Sequence, residues 1–223
     1  MFKDRVLFID GEAIVIDKPA GLPVDRPRDR STSLEDLLGE LTFGFKRLPL
    51  PVHRLDRDTS GCLLLARNPK AHKRFGQAFE AGAVTKRYVA ILEGEPEADT
   101  GEIDLPLIKV STAEEGWRMT GDPSGKSAKT RWKVLERIKG RAMVAFYPET
   151  GRTHQLRVHA AEALGMPIVG DPVYGSGGPA VMLHAAGLIV PREGKPDVTA
   201  EAPLPLRFHN IGFGRGAAPT AED

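Results

Sequence analysis

Short apolar segments, several of them with a two-residue alternation, recur along this sequence, which is the pattern that β-strands produce. The first two segments flank Asp10-Gly11, a turn signal that predicts a β-hairpin. The polar residues 112–125 are expected to be irregular. Several strands with few helices indicate an α+β fold with a largely antiparallel (mixed) central sheet flanked by helices and loops. The predicted strands are 6–9, 13–17, 84–92, 130–134 and 142–147.

Three helices are expected beside these strands. Thr32 and Glu35 match a capping box, which predicts that a short helix begins there. Asn68-Pro69 supplies an N-cap and a first-turn proline for a second helix, which we expect to run through Ala81. A third helix is predicted over 153–164, where a glycine stops it.

The composition and the segment lengths predict one soluble domain. No linker long enough to separate two domains interrupts residues 1–213, and residues 214–223 lack large apolar groups, so they are predicted to be a disordered tail. The single cysteine, Cys62, excludes a disulfide framework and a Cys-rich zinc site. The first apolar stretch is too short for a signal peptide, and no segment approaches the ~20 apolar residues of a membrane span. We therefore expect a cytoplasmic protein.

The charge balance does not indicate a dedicated nucleic-acid binder. The net charge is +1 and the pI is about 7.9, below the value of about 9 that is typical of that class. Basic residues nevertheless gather at 70–74, 86–87, 126–133 and 152–157. A one-sided basic face and an ordinary solvated surface both fit this distribution.

The segment HRLDRDTSG, from His53 to Gly61, places one carboxylate, that of Asp56, between two arginines, Arg54 and Arg57. It leads directly into the apolar run 62–66. A carboxylate on a loop that feeds a buried strand is held rigidly, which suits a catalytic group. A structural ion pair would use the same residue types, so the pattern by itself leaves both interpretations open.

A second polar cluster, TGRTHQLRVH, occupies residues 150–159. Its two arginines lie near a helix start predicted at Thr153, and such a helix N-terminus is suited to a phosphate or a catalytic carboxylate. A surface helix with solvated basic residues is the simpler alternative. His154 and His159 are five residues apart and do not share a helix face, so no metal site is expected.

Residues 121–127, GDPSGKS, are similar to a nucleotide-binding P-loop but lack one residue between the glycines. A true P-loop opens a helix, whereas residues 128–134 alternate as a strand would. We therefore do not expect an NTPase.

Four segments occur in this order along the chain: Lys18–Val24, His53–Gly61, Lys86–Ala90 and Gly151–His159. Together they resemble the four sequence motifs of the RluA-type RNA pseudouridine synthases. Residues 165–171, 183–185 and 202–205 continue in the manner of that family, so the resemblance covers nearly the whole chain. Many relatives carry an N-terminal S4 RNA-binding domain that is not seen here, so we expect the S4-less branch, whose members act on transfer RNA, ribosomal RNA or both.

The resemblance implies a pseudouridine synthase catalytic domain with an active-site cleft across its sheet. It gives the catalytic role to Asp56, with Arg157 as the partner that keeps this carboxylate charged. Tyr88 would stack on the uracil and help to remove its C5 proton, directly or through water. Arg54 would fill the space that the flipped base leaves. The other residues expected to contact RNA are His53, Arg152, His154 and Leu156.

This activity also sets the expected partners. The isomerisation of uridine involves no redox change and no group donor, so no cofactor and no metal are expected. The expected partner is a structured RNA, a tRNA or rRNA stem-loop, bound by a monomer without any membrane. The sequence names neither the RNA nor the uridine. Asp56 could attack C1′ or remove a ribose proton to give a glycal intermediate, and both routes use the same residue.

Two other functions stay open. A glycoside or nucleoside hydrolase also acts at a sugar C1′, with Asp56 and either Asp58 or Glu149 as its carboxylate pair. A noncatalytic RNA-binding protein on this fold would have lost part of the set of Asp56, Tyr88 and Arg157. All three residues are present, which favours the enzyme.

Overall fold

The computed structural model of the chain describes residues 2–112 and 116–214. Strands outnumber helices in these ranges, which confirms the predicted α+β class. The strands are β1 (Val6–Ile9), β2 (Ala13–Lys18), β3 (Leu50–Pro51), β4 (Ser60–Ala66), β5 (Thr85–Leu92), β6 (Thr100–Asp104), β7 (Leu107–Thr112), β8 (Gly116–Gly121), β9 (Lys129–Ile138), β10 (Arg141–Pro148), β11 (Leu183–Val190) and β12 (Val198–Glu201). The α-helices are α1 (Leu34–Leu37), α2 (Pro69–Glu80), α3 (Gln155–Val158) and α4 (Leu206–Asn210).

Two compact units make up the described chain. The first unit contains the residues up to Tyr88 together with Ala185–Ala202, and the second contains Val89–His184 together with the residues from Pro203 onwards. In the described part of the chain, no helix is long and apolar enough to cross a membrane. Of the predicted tail, residues 215–223 lie outside the described residues.

The first unit is built on strands in the order β1-β2-β4-β11, with β3 beside β4 and β12 beside β11. All seven residues of β4 are buried, because apolar groups cover both faces of this strand. Cys62, Leu64 and Ala66 share a core cluster with Phe75 of α2. On the other face, Leu63 and Leu65 share a second cluster with Leu34 of α1. Burial on both faces explains why β4 reads as a continuous apolar run rather than an alternating one.

The helix α2 begins and ends close to the predicted positions. The Asn68 side chain accepts a hydrogen bond from the Ala71 amide at 2.8 Å, and Pro69 occupies the first turn. The helix ends at Glu80, one residue before the predicted end, and Gly82 follows with a φ of 69°.

The capping box of α1 lies one residue later than predicted. The prediction paired Thr32 with Glu35, but the N-cap is Ser33, and the Asp36 carboxylate accepts hydrogen bonds from the Ser33 amide at 2.9 Å and the Ser33 hydroxyl at 3.0 Å. Ser33 is buried, whereas Thr32 is exposed. The buried polar residue is therefore the one that receives these partners.

The second unit contains residues 89–92 of β5 and the strands β10, β9 and β6, which follow it in this order, and β7 pairs with β8 as a separate antiparallel sheet. The prediction that residues 112–125 are irregular was wrong for 116–121, which form β8. Only Met119 of this strand is buried, and Trp117 and Met119 are its only large apolar residues, so the apolar signal of a strand is weak in this segment. The segment that is similar to a P-loop forms a turn, in which the Asp122 carboxylate accepts a hydrogen bond from the Ser124 amide at 2.7 Å, and β9 rather than a helix follows it.

The predicted third helix is shorter and less regular than expected. It begins at Gln155, not at Thr153, and it changes after Val158 to a π-helical turn over His159–Ala163. His154 precedes it in the left-handed region, with a φ of 53°. The helix start that the sequence placed at Thr153 therefore lies at Gln155, directly after a left-handed residue.

Candidate active site

The loop that carries Asp56 is anchored on both sides of that residue. Leu55 is 6% exposed and packs in the core with Val24 and Leu63. The Thr59 amide donates a hydrogen bond to the Asp56 carbonyl oxygen at 3.1 Å, which closes a turn. Asp56 is half-buried between these anchors. The backbone that carries the Asp56 carboxylate is therefore anchored on both sides.

Gly61 sets the geometry where this loop enters β4. It has a φ of 107°, and a Cβ atom at this position would overlap the carbonyl oxygen of Ala185 in β11. Only glycine combines that backbone conformation with so close an approach. The glycine of the Thr-Ser-Gly turn is thus required by the packing of β4 against β11.

Lys18 connects the first motif to the Asp56 loop. Its side chain is fully buried, and its ammonium group donates hydrogen bonds to the carbonyl oxygens of Pro19 at 2.9 Å, Leu22 at 2.8 Å and Arg57 at 3.0 Å. The Gly21 amide donates to the same Arg57 carbonyl at 2.9 Å. Sequence reasoning gave Lys18 no role of its own, although a lysine at the end of the apolar run 13–16 was a signal.

Tyr88 lies half-buried in the first unit and packs against the core cluster that contains Leu55 and Leu63. Burial raises the pKa of its phenol above the ordinary value, and the negative charge of Asp56 raises it further. The hydroxyl therefore stays protonated at neutral pH. The charge effect of Asp56 on Tyr88 links two of the residues that the resemblance placed in the active site.

Arg54 extends from the same loop into solvent. Its side chain is 79% exposed and forms an ion pair with Asp25 at 3.0 Å, and the Asp25 side chain is 51% exposed. Exposed ion pairs contribute little to stability, so this guanidinium can exchange Asp25 for another partner at little cost.

His53 contacts the protein core at the start of the loop. Its ring stacks on Phe79 with the centroids 4.6 Å apart, and its Nε2 atom accepts a hydrogen bond from the Leu64 amide at 3.0 Å. Burial lowers the pKa of His53 to about 4, and the charge of Lys86 contributes. These contacts give a neutral imidazole that supports β4, and the RNA contact expected of His53 stays a prediction.

Arg157 forms a buried ion pair in the second unit. Its Nε and Nη2 atoms donate to the two carboxylate oxygens of Asp171 at 2.6 and 2.8 Å. Asp171 is fully buried and also accepts hydrogen bonds from the amides of Val173 at 2.9 Å and Tyr174 at 3.1 Å. Burial favours a higher pKa for Asp171, but its hydrogen bonds and the charge of Arg157 bring the pKa below the ordinary value.

Asp171 was missed as a site residue, although it ends the segment 165–171 that resembles the family. Two parallel hydrogen bonds fix the plane of the Arg157 guanidinium. Asp171 therefore sets the orientation of the positively charged Arg157 guanidinium.

Gln155 shapes the turn before α3. Its Oε1 atom accepts hydrogen bonds from the Arg152 amide at 3.0 Å and the Thr150 hydroxyl at 2.7 Å, and its Nε2 atom donates to the Lys129 carbonyl at 3.0 Å. Arg152 is exposed, and its Nε atom donates to the Ser127 carbonyl at 3.0 Å. Leu156, in contrast, is 6% exposed.

His154 belongs to an aromatic group in the second unit. Its Nδ1 atom hydrogen-bonds the Tyr174 hydroxyl at 2.8 Å, and its ring stacks on Trp117 with the centroids 5.1 Å apart. The left-handed backbone of His154 is therefore supported by contacts on two sides.

The predicted site residues divide between the two units. Asp56, Arg54, His53 and Tyr88 belong to the first unit, and Arg157, Arg152, His154 and Leu156 belong to the second.

The second carboxylate that a hydrolase would need beside Asp56 is exposed at both candidate positions. Asp58 is exposed in the first unit, and Glu149 of the second unit forms an exposed ion pair with Arg131 at 3.3 Å. Among the residues that the structure describes, no group of three or more His, Cys, Asp or Glu side chains could hold a metal ion.

Comparisons with known proteins place this architecture in a family. Residues 12–162 match the family model described as RNA pseudouridylate synthase. An uncharacterized RNA pseudouridine synthase of Zymomonas mobilis subsp. mobilis is 62% identical over 213 residues, which cover 94% of this chain and 97% of that protein. Ribosomal large subunit pseudouridine synthase D of the same organism is 34% identical over 226 residues, covering 92% of this chain and 71% of that protein.

Solved structures agree with these matches. Human RNA pseudouridylate synthase domain containing 4 superposes with a TM-score of 0.79 at 26% identity, covering 93% of this chain and 91% of that chain. Human RNA pseudouridylate synthase domain containing 1 gives a TM-score of 0.74 at 28% identity, covering 89% and 82%. The chain therefore belongs to the RluA-type RNA pseudouridylate synthase family.

Proposed function

We propose that this RNA pseudouridine synthase isomerises specific uridines in a structured transfer or ribosomal RNA, with Asp56 as its catalytic carboxylate. The observation that carries the proposal is the support of the Asp56 loop by Leu55, Lys18 and Gly61, while Arg54 beside it stays exposed. A fixed carboxylate beside an exposed guanidinium suits a loop that flips a nucleotide and then acts on it.

The reaction breaks the bond between ribose C1′ and uracil N1 and forms a bond between C1′ and C5. The C5 atom loses a proton and N1 gains one, so the product has the composition of the substrate. Asp56 serves either route, attack on C1′ or removal of a ribose proton to give a glycal. Both routes require an ionised carboxylate at the start.

Tyr88 is the proposed residue for stacking on the uracil and for proton transfer at C5. Because the pKa of its phenol is raised, a preformed phenolate is disfavoured at neutral pH. We therefore favour transfer of the C5 proton through a water molecule that hydrogen-bonds the hydroxyl, rather than direct removal by Tyr88.

Arg157 is the proposed charge partner of Asp56. Its support is the buried Asp171 pair, which holds the guanidinium in one orientation. A fixed positive charge lowers the free energy of an ionised carboxylate more effectively than a mobile one, because no ordering is needed during the reaction.

Arg54 is the proposed flipping residue. A planar guanidinium can stack on bases and hydrogen-bond at once, and its exposed pair with Asp25 is easily exchanged. His53, Arg152, His154 and Leu156 are proposed to complete the RNA site. Leu156 and His53 would act by supporting the loops, because Leu156 is buried and His53 packs on Phe79.

We further propose that residues 1–213 act together as one catalytic domain, in the cytoplasm and as a monomer, on a stem-loop of RNA. The relative named ribosomal large subunit pseudouridine synthase D supports ribosomal RNA as a substrate class. No cofactor is part of the proposed reaction, because it involves neither electron transfer nor a group donor.

The test is a map of pseudouridines in total RNA from a deletion strain and its parent, followed by treatment of the deletion-strain RNA with purified protein. We expect one or more positions to lose pseudouridine in the deletion strain and to regain it with unchanged RNA mass. Release of free uracil would instead identify a hydrolase. Identical maps, with no change on treatment, would contradict the proposed function.

A further inference from the structure

Two phenylalanines project into solvent from one short loop of the first unit. Phe43 is 37% exposed and Phe45 is 43% exposed, with Gly44 between them. Leu48 in the same loop is 51% exposed. Grouped exposed apolar side chains of this size usually mark a binding surface.

The backbone of this loop is strained at Phe43. Its φ is 46°, a left-handed conformation that bulky residues rarely adopt. Such strain persists only where the surrounding structure enforces it, and it concentrates at functional sites. Here it keeps a phenylalanine in a position that a glycine would occupy at lower cost.

A buried arginine enforces this conformation. Arg67 is 7% exposed, and its guanidinium donates hydrogen bonds to the carbonyl oxygens of Thr42 at 3.1 Å, Phe43 at 3.4 Å and Asp10 at 2.6 Å. The same guanidinium lies 3.7 Å from the centroid of the Phe45 ring. Arg67 therefore holds in place the segment that carries both rings.

Basic side chains accompany the rings. Lys46 and Arg47 follow Phe45 directly and are exposed, and residues 43–50 contain no acidic side chain. The Lys3 ammonium lies 5.8 Å from the centroid of the Phe43 ring. Protein interfaces are depleted of lysine at their apolar centre, whereas aromatic rings beside basic groups are what single-stranded nucleic acids require.

We propose that residues 43–48 form an RNA-contact surface outside the Asp56 loop. Unpaired bases of the substrate RNA stack on Phe43 and Phe45, and its phosphates contact Lys46 and Arg47. This inference rests on the proposed function, because it assigns to this surface the single-stranded part of the same RNA substrate.

The test is a binding titration with two fluorescent probes, a single-stranded oligouridine of about 12 nucleotides and an RNA duplex of similar length. Replacing both rings, F43A with F45A, should weaken binding of the single strand about tenfold or more, since each stacked base contributes that order of affinity. Binding of the duplex should change little.

A charge variant tests the phosphate interaction separately. Replacing Lys46 and Arg47 by glutamine should weaken binding of both probes. On the single strand, the slope of log affinity against log salt should become shallower by about 0.7 for each phosphate that the variant no longer neutralises. The matched control replaces Lys139 and Arg141, two exposed basic residues of the second unit, by glutamine. This control variant should keep nearly the wild-type salt dependence, because it makes the same small change in net charge at a different place.

The variant Phe43→Gly tests whether weaker binding comes from loss of the ring rather than from unfolding. Glycine favours the left-handed backbone, so this variant should melt at or near the wild-type temperature and still bind the single strand more weakly. Unchanged affinity of the ring and charge variants would overturn the inference. So would conversion of a dimer to a monomer by F43A with F45A, measured by light scattering, with RNA affinity unchanged.

The outcomes also separate this inference from the proposed function. Suppose that the wild type forms pseudouridine and that the ring and charge variants bind and turn over RNA as the wild type does. Residues 43–48 then do not contact RNA, and the proposed function stands. If the wild type forms no pseudouridine in any RNA, the proposed function itself fails.

Discussion

The ammonium group of Lys18 donates a hydrogen bond to the carbonyl oxygen of Arg57 at 3.0 Å, across 39 residues of sequence. This contact ties the end of β2 to the loop that carries Asp56. Because Lys18 is fully buried, its charge must be balanced by hydrogen-bond acceptors rather than by water. The first motif is therefore a support for the second.

Lys18→Met should destabilise the protein and impair turnover. The substitution leaves the carbonyl oxygens of Pro19, Leu22 and Arg57 without this donor, which should lower the free energy of unfolding by about 3 kcal/mol. Urea unfolding measures this change. Lys73→Met, at an exposed position of α2, is the control and should change it by less than about 0.5 kcal/mol. Equal stability of Lys18→Met and wild type would contradict the role of Lys18 in supporting the Asp56 loop.

Gly61→Ala and Gly76→Ala should have opposite effects. The new methyl group at position 61 would overlap the Ala185 carbonyl, so we expect a loss of more than about 4 kcal/mol or failure to fold. At position 76 the methyl group meets open space within α2, and removal of a helical glycine should stabilise by about 1 kcal/mol. Thermal melting distinguishes the two. A Gly61→Ala protein that melts like the wild type would refute the close approach.

Much of the fold followed from local pattern, because strands and caps depend on neighbours in sequence. The alternation that predicts β9 and the Asn68 cap of α2 are of this kind. β8 was missed because only Met119 of this strand is buried and only two of its six residues are large and apolar. The left-handed His154 was missed because its conformation depends on Tyr174 and Trp117, far along the chain.

The candidate site likewise contains residues that could be identified from the sequence and contacts that could not. Asp56 could be identified from its motif, since the residues that mark it are adjacent in sequence. The pair of Arg157 with Asp171 and the support from Lys18 are contacts between segments that only folding brings together. No local periodicity encodes them, so they had to be found in the structure.

Asp171→Asn should remove the charge that holds Arg157. Loss of the carboxylate charge from this buried ion pair should lower the free energy of unfolding by about 3–5 kcal/mol at pH 7 and reduce kcat. Asp104→Asn, which removes an exposed pair with Lys129, should cost about 1 kcal/mol or less. Urea unfolding of both variants makes the comparison, and similar losses would argue against the special role of Asp171.

The pH dependence of stability gives an independent check on Asp171. Burial opposes its ionisation, but the hydrogen bonds and charge of Arg157 hold the pKa of Asp171 below the ordinary value. A carboxyl group whose pKa is lower in the folded state contributes stability that is fully present above about pH 4 and is lost as the pH falls through the folded-state pKa. The stability difference between wild type and Asp171→Asn should therefore narrow below about pH 4. A difference that stays constant down to pH 2 would contradict this linkage.

Tyr88→Phe should separate stacking from proton transfer. Phenylalanine keeps the aromatic ring, so KM for the RNA should change little, whereas loss of the hydroxyl should lower kcat by about 10² to 10⁴. Release of tritium from RNA labelled at uracil C5 measures the affected step. Tyr147→Phe, a half-buried tyrosine of β10, is the control. Wild-type tritium release by Tyr88→Phe would limit the residue to stacking.

The central claim is that Asp56 carries out the chemistry, and the most direct measurement is pseudouridine formation by Asp56→Asn. Asp58→Asn, which changes the exposed neighbouring carboxylate, serves as the matched control. The substrate is the RNA mapped from the deletion strain, and RNA binding is measured in parallel. We predict that Asp56→Asn binds this RNA nearly as well as wild type but loses about 10³-fold or more of the turnover, while Asp58→Asn stays active. Turnover by Asp56→Asn within about tenfold of wild type would contradict the account.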